Sequence, residues 1–148
     1  MGWRRSVADT AKAAPLSLRF KRKSIVRVLL GVSMVAIGAM HFIKPAGFVA
    51  IVPAWLPAPA LLVYLSGVAE IAGGLGLLSP WDRVRRAAAV GLVVLYIAVF
   101  PANVNQAIHH LPFDGKPVPE VVLWARLPFQ AVFIGLAWWL ALHETRRV

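Results

Sequence analysis

Four long apolar segments constrain the fold of this chain more than any other feature of its sequence. They occupy residues 25–43, 60–78, 87–107 and 121–142, with few polar interruptions. About 20 apolar residues at a rise of ~1.5 Å each cross the ~30 Å hydrocarbon layer of a bilayer. The chain has 148 residues, of which 59% are hydrophobic, and a soluble fold of that size could not bury so much apolar surface. The sequence therefore predicts an all-α integral membrane four-helix bundle.

Positive charge is unevenly distributed among the segments that flank the apolar stretches. Eight of the sixteen Lys and Arg residues lie within the first 27 positions, three follow the second stretch, and two lie at the end of the chain. The segment 45–59 carries no charge, and 108–120 carries both signs. Short segments rich in Lys and Arg stay in the cytoplasm. The charge therefore predicts an N-in/C-in topology and does not indicate a nucleic-acid partner.

The apolar segments form one membrane domain, residues 25–142, between two short polar ends. We expect residues 1–24 to be a basic, disordered cytoplasmic tail lying against anionic lipid, and residues 143–148 to be a second cytoplasmic tail. The apolar segment 45–59 contains four prolines, which forbid a continuous helix. It is expected to lie at the outer interface or to fold back as a lid. These features predict a multi-pass protein of the cell membrane, in a bacterium the inner membrane.

Small residues in the second apolar segment predict close packing of that helix. Ala69 and Gly73 form a small-x-x-x-small pair, and further glycines lie at positions 67, 74 and 76. Such pairs allow two helix backbones to approach each other within a membrane.

Polar side chains inside the apolar segments require a structural or functional reason. An ionisable group in the middle of a span costs roughly 2.5–3.5 kcal/mol on insertion scales. Glu70 lies near the middle of the second segment, and Ser66, one turn earlier, could donate a hydrogen bond to it. The candidate ligand-binding residues are Glu70, Arg126, His41, Asn103, Gln130 and Ser66.

These candidates are expected to gather on the outer side of the membrane. The rise of ~1.5 Å per residue places His41, Asn103 and Arg126 at similar depths, with Glu70 and Gln130 about 6–9 Å deeper. One interpretation is a structural Glu70–Arg126 pair satisfied by the amides and His41. A second is a pocket for the polar head of a quinone or another lipid-like molecule. A third is a proton path ending at Glu70, since burial favours a protonated carboxyl.

Metal and thiol chemistry are not indicated by the residue types present. The chain contains no cysteine, so it has no thiolate of its own for catalysis or metal binding. His109 and His110 are adjacent, and on a helix their side chains point about 100° apart. We therefore predict no metal site.

Four short motifs in the same order resemble the DoxX family of small four-span membrane proteins. They are GAMHF at 38–42, PxxFxxIVPxxLP at 45–57, SGxxExxGG at 66–74 and FPAN at 100–103. The resemblance covers residues 30–142 and implies four helices and a link to oxidoreduction. Relatives are named from a subunit of a thiosulfate:quinone oxidoreductase, and others are associated with membrane redox assemblies. The resemblance assigns no catalytic residues.

The leading hypothesis is a membrane component of a redox system that binds a quinone or similar lipophilic molecule. Such an oxidoreductase-associated subunit would have a redox partner protein and the lipid bilayer as its partners, and could form homo-oligomers. The alternative is a non-enzymatic scaffold or assembly factor whose polar cluster is purely structural. A small proton-coupled transporter is the third hypothesis.

Overall fold

The structure, a computed structural model, describes the backbone of residues 16–143 and the side chains of residues 22–142. Its helices are α1 (Leu16–Ile43), α2 (Pro45–Val49), α3 (Pro59–Leu78), α4 (Asp82–His109) and α5 (Glu120–His143). The predicted all-α bundle of long apolar helices is confirmed, and each long helix contains one of the apolar segments. In this described part, four helices are long and apolar enough to cross a membrane, so the chain is a multi-pass membrane protein.

Helix α1 begins earlier than the apolar pattern indicates. The sequence places a tail over residues 1–24, whereas the helix begins at Leu16. Leu, Arg and Lys, which favour helix, dominate residues 16–23, and their charges hide this extension from a hydropathy pattern. The remaining residues of the two predicted tails, 1–15 and 144–148, lie outside the described residues.

Helices α1 and α3 run antiparallel and approach each other at glycines. Gly31 faces Gly74 and Gly38 faces Gly67, so residue numbers increase along α1 in the direction in which they decrease along α3. A Cβ atom added at Gly74 would lie 2.6 Å from the carbonyl oxygen of Gly31, and one at Gly38 would lie 2.7 Å from that of Gly67. These four residues, called the glycine seam below, let backbone pack against backbone.

Helix α4 packs on another face of α3 and pairs with α5. A Cβ atom added at Gly73 of α3 would lie 2.6 Å from Leu92 Cδ2 of α4. Helices α4 and α5 contact each other along much of their length, whereas α1 and α5 meet at few positions. The four long helices share one apolar core, whose large members include Leu30, Met34, Leu77, Leu92 and Leu140.

The turn between α3 and α4 is held by the buried side chain of Arg85. Its Nη1 donates to the carbonyl oxygens of Ser79 at 3.0 Å and Pro80 at 2.8 Å, and Nη2 forms an ion pair with Asp82. Arg85 is thereby fixed to both sides of the turn. We call the end of the bundle where α3 finishes and α4 begins the basic end, and the end where α1 and α4 finish the polar end.

Candidate functional site

The polar end contains two groups of polar side chains rather than one cluster. His41 of α1 and Glu70 of α3 form the first group. The second group lies between α4 and α5. It consists of Asn103, Gln106, Arg126 and Gln130. The division follows the helix pairing, because each group lies between two helices that pack closely against each other.

His41 and Glu70 form a buried pair with incomplete hydrogen bonding. His41 is 6% exposed and Glu70 7% exposed, and His41 Nδ1 lies 3.5 Å from Glu70 Oε2. The same nitrogen lies 3.0 Å from the carbonyl oxygen of Ile37, so it carries a proton and donates to that acceptor. Glu70 Oε2 is buried and has no hydrogen-bond partner. A buried carboxyl oxygen without a donor is costly, and such groups often have a functional role.

The glycine seam brings these two side chains together. A Cβ atom added at Gly67 would lie 2.8 Å from His41 Cβ, and one at Gly38 would lie 3.0 Å from Glu70 Cβ. Side chains larger than hydrogen at these two positions would therefore occupy the space that the pair uses. Close helix packing and the position of the ionisable pair have the same cause.

An aromatic cap covers His41 at the polar end. The ring of Phe48 on α2 stacks on the His41 ring with centroids 3.8 Å apart and planes 20° apart. Phe113, from the segment between α4 and α5, contacts Phe48 edge-on at 5.0 Å. Gly47 permits this approach, because a Cβ atom there would lie 3.0 Å from the Phe113 ring. The segment 45–59 thus includes a short helix whose Phe48 covers one face of the imidazole.

An ion pair also joins the two segments of this cap. Lys44 Nζ donates to Asp114 Oδ2 at 2.7 Å. This hydrogen bond and the positive charge of Lys44 lower the pKa of the Asp114 carboxyl below its ordinary value. The cap is therefore stabilised by Asp114 above the ordinary pKa of an aspartate, and this contribution is lost as pH falls through the lowered pKa.

Asp114→Asn is expected to reduce the melting temperature slightly near neutral pH and to leave it unchanged at a pH below both pKa values. The effect is small because the pair is solvent-exposed. Asparagine tolerates the φ of 54° at this position, so the turn itself is retained. Melting of both proteins in detergent across the acid range measures the difference. Lys116→Gln, the control, should retain most of the pH dependence, and a difference that persists at the acid limit would contradict the assignment.

The side chains of the group between α4 and α5 form hydrogen bonds within the bundle. Arg126 Nη1 donates to Gln106 Oε1 at 2.5 Å, and Gln106 Nε2 donates to the carbonyl oxygen of Leu111 at 3.2 Å. Asn103 Nδ2 donates to Gln130 Oε1 at 2.9 Å, and Gln130 Nε2 donates to the carbonyl oxygen of Tyr96 at 2.5 Å. These bonds fix the register of α4 against α5.

Two of the contacts expected from the sequence are absent from this structure. Among the described residues Arg126 and Glu70 form no ion pair, because the guanidinium of Arg126 is directed to Gln106. Ser66 does not donate to Glu70, since its hydroxyl donates to the carbonyl oxygen of Val63 at 2.9 Å within its own helix. His41 with Glu70, and Asn103 with Gln130, are the candidate pairs that the structure brings together.

Two residues outside the candidate set take part in the site. Gln106 is 0% exposed and accepts from Arg126. Its spacing of three from Asn103 places both on one helix face, which is a signal available in the sequence. Tyr96 of α4 donates to Met34 Sδ of α1 at 2.9 Å, and its carbonyl oxygen accepts from Gln130 of α5. Nothing in the pattern distinguishes this tyrosine from an ordinary core aromatic.

Possible metal ligands do not cluster in the described part of the chain. No three His, Asp or Glu side chains there lie close enough together to hold an ion. His110 lies 3.6 Å from Glu120 on the surface of the polar end, in an exposed pair.

Comparison with known proteins identifies one family. The model of a domain of unknown function, DUF8561, matches residues 30–141, which include most of the four long helices and both polar groups. No curated protein and no solved structure matches the chain. The chain therefore belongs to the DUF8561 family and is a multi-pass membrane protein with four long apolar helices.

Proposed function

We propose that this protein binds the polar head of a lipophilic molecule, a quinone in chemical class, at the pair formed by His41 and Glu70. The observation that carries the proposal is the buried Glu70 Oε2, which lacks a hydrogen-bond partner beside a protonated nitrogen of His41. A protonated Glu70 could donate to a quinone carbonyl, and the apolar chain of the ligand would lie among the exposed apolar side chains of α1 and α3. The DoxX-like motifs at 38–42 and 66–74 contain these two residues.

The chemistry of the pair suits proton exchange with such a ligand. Reduction of a quinone to a quinol consumes two electrons and two protons. A redox partner protein would supply the two electrons. Glu70 as a protonated carboxyl and His41 as an imidazolium would each pass one proton to a carbonyl oxygen. The stacking of Phe48 on His41 holds the imidazole in place and excludes water from one of its faces. In this proposal the chain is a quinone-binding subunit of a membrane redox system.

The orientation proposed from the charges places this site away from the cytoplasm. Arg83, Arg85 and Arg86 all lie at the basic end, and short Arg-rich segments remain cytoplasmic. With the N-terminus in the cytoplasm of a bacterium, the polar end would face the outer leaflet of the inner membrane.

A scaffold or assembly factor is the second candidate function, and the α4–α5 group favours it. The side chains of this group form hydrogen bonds with one another and with backbone carbonyls, as expected of side chains that fix helix register. The group consists of Arg126, Gln106, Asn103 and Gln130. Glu70 distinguishes the two candidate functions, because a scaffold does not require a buried carboxyl that lacks a hydrogen-bond donor.

Glu70→Leu and His41→Leu are each expected to weaken binding of a short-chain benzoquinone at least ~10-fold, the loss of one hydrogen bond to a polar or charged group. Glu70→Gln retains a donor and should bind, but with weaker pH dependence because the amide does not ionise. Equilibrium binding to purified protein in nanodiscs measures both effects.

Glu120→Gln is the matched control for this experiment. It exchanges a carboxyl for an amide at an exposed position at the start of α5, so its binding should equal that of the unaltered protein. Glu70→Leu protein that remains folded and binds benzoquinone normally would refute the proposed site. An unaltered protein that binds no benzoquinone would leave the scaffold as the better function, to be tested by copurification of a partner.

A further inference from the structure

The His41–Glu70 pair is enclosed on the sides formed by the long helices. Both residues are buried, so a part of the protein must move before a ligand can contact them. Gly38 and Gly67 put the backbones of α1 and α3 in contact beside the pair. The ring of Phe42, which lies against Gly67, stacks on Tyr64 with centroids 5.6 Å apart. Entry between α1 and α3 would therefore require the separation of two backbones that touch.

The aromatic cap, by contrast, consists of two short segments with non-helical junctions. Helix α2 has five residues, and the backbone at Lys44 leaves the helical region between α1 and α2, with φ −130° and ψ 55°. The other segment is a tight turn in which Phe113 and Lys116 exchange backbone hydrogen bonds of 2.9 and 3.0 Å. Asp114 and Gly115 at the tip of this turn have positive φ. Each segment can move as a unit while the long helices stay folded.

Aromatic contacts and an exposed ion pair hold the cap over the imidazole. Phe48 contacts the rings of both His41 and Phe113. The side chains of the Lys44–Asp114 pair are 44% and 37% exposed, and ion pairs so open to solvent contribute little to stability. The free energy that separates the closed cap from an open one is therefore small, as is typical of segments that open locally.

We propose that the aromatic cap is a gate, which opens to admit the polar head of the ligand to His41 and Glu70 and then closes over it. This role rests on the proposed quinone function and gives it a route of entry from the polar end. When α2 moves outward, Phe48 leaves the imidazole and uncovers it. Asn105 Nδ2 donates to the carbonyl oxygen of Ile51 at 3.0 Å and keeps the segment beyond α2 attached to α4. Closure over the ligand excludes water during proton exchange.

A reversible chemical bridge across the cap tests this gate. The chain contains no cysteine, so Lys44→Cys combined with Asp114→Cys introduces its only two thiols, at the positions of the ion pair. Butanediyl bis-methanethiosulfonate joins the two thiols through disulfides that dithiothreitol removes. The matched control is the same double variant treated with methyl methanethiosulfonate, which modifies both thiols without joining them.

Chemical modification of His41 reports on the cap in the absence of any quinone. Diethyl pyrocarbonate reacts with an unprotonated imidazole nitrogen, which in His41 is Nε2 because Nδ1 donates to Ile37. His41 of the bridged protein should be modified at least ~10-fold more slowly than in the control, because the bridge removes the open minor state. The rate at the exposed His109 should not change. Peptide mass spectrometry measures both rates, and removal of the bridge should restore that of His41.

Phe48→Leu tests the gate without engineered thiols. Leucine keeps the position apolar but removes the ring that stacks on His41. Modification of His41 should become about threefold faster or more, the effect of losing one aromatic stack. An unchanged or slower rate in this variant would contradict the proposal.

Binding of the short-chain benzoquinone connects the gate to the proposed function. The bridged protein should associate with it at least ~10-fold more slowly than the control, since the closed cap does not admit the ring. Both samples have blocked thiols, which therefore cannot add to the quinone. Equal rates of His41 modification in the two samples would overturn the gate, whatever the quinone result. Slowed modification with unchanged benzoquinone association would also overturn it, because the ligand would then enter elsewhere. Slowed modification in a protein that binds no benzoquinone before any substitution would refute the quinone function and support the opening of the cap.

Discussion

Gly74→Leu is expected to separate α1 from α3 and to lower the free energy of unfolding by about 3 kcal/mol or more, the upper range for overpacking. Its Cβ atom alone would lie 2.6 Å from the carbonyl oxygen of Gly31 and 2.8 Å from the side chain of Val35. The Gly31 oxygen belongs to the backbone of a neighbouring helix and cannot move aside by rotating a side chain. Unfolding in mixed micelles with increasing denaturing detergent measures the change.

Gly91→Leu is the matched control for this prediction. It adds the same side chain to another long helix, but at Gly91 a Cβ atom would have no neighbour within 4 Å. We expect the bundle to unfold at nearly the same detergent fraction as the unaltered protein. If Gly74→Leu and Gly91→Leu were equally stable, the glycine seam would not determine the α1–α3 distance.

Removing only one partner of the Arg126–Gln106 hydrogen bond is expected to destabilise the bundle more than removing both. Gln106→Leu leaves the guanidinium of Arg126 without its acceptor, and Arg126→Met leaves the fully buried Gln106 Oε1 without a donor. Each single variant should lose about 1–3 kcal/mol, the cost of an unsatisfied buried polar group. The double variant has an apolar contact in place of the pair.

A double-mutant cycle measures this coupling. The loss in the double variant should be smaller than the sum of the two single losses, with a coupling energy of roughly 0.5–3 kcal/mol. Additive losses would show that the two side chains act independently. The same measurement with His109→Leu, at an exposed position on α4, gives the background for a polar-to-apolar change at this end.

The number of the long helices could be predicted from the sequence, because each membrane span requires its own apolar segment. The positions of the polar residues along each helix axis follow from the fixed helical rise. The helical rise separates His41 and Asn103 from Glu70 and Gln130 by about 6–9 Å in depth. The structure nevertheless pairs His41 with Glu70 and Asn103 with Gln130. The first turns of α1 are missed by a hydropathy pattern because they are charged.

Rotation of each helix about its axis was not predictable, and the site depends on it. Arg126 was a candidate partner of Glu70, but α5 directs it to Gln106. The small residues of α3 show the same limit. Ala69 is exposed, whereas Gly67 and Gly74 contact α1 and Gly73 contacts α4. A motif of small residues indicates that another helix packs closely against α3. Which helix does so depends on how the other helix faces pack.

The pairing of neighbouring helices has a consequence for biosynthesis. Glu70 reaches the bilayer on α3 after His41 has entered it on α1, and Arg126 arrives on α5 after Gln106 has entered on α4. Glu70 and Arg126, whose insertion into the bilayer is unfavourable, are thus each translated later than the side chain that they contact. In each helix pair, the later ionisable residue can therefore enter the membrane beside a partner that is already there. No exchange of partners is then needed once the last helix has entered.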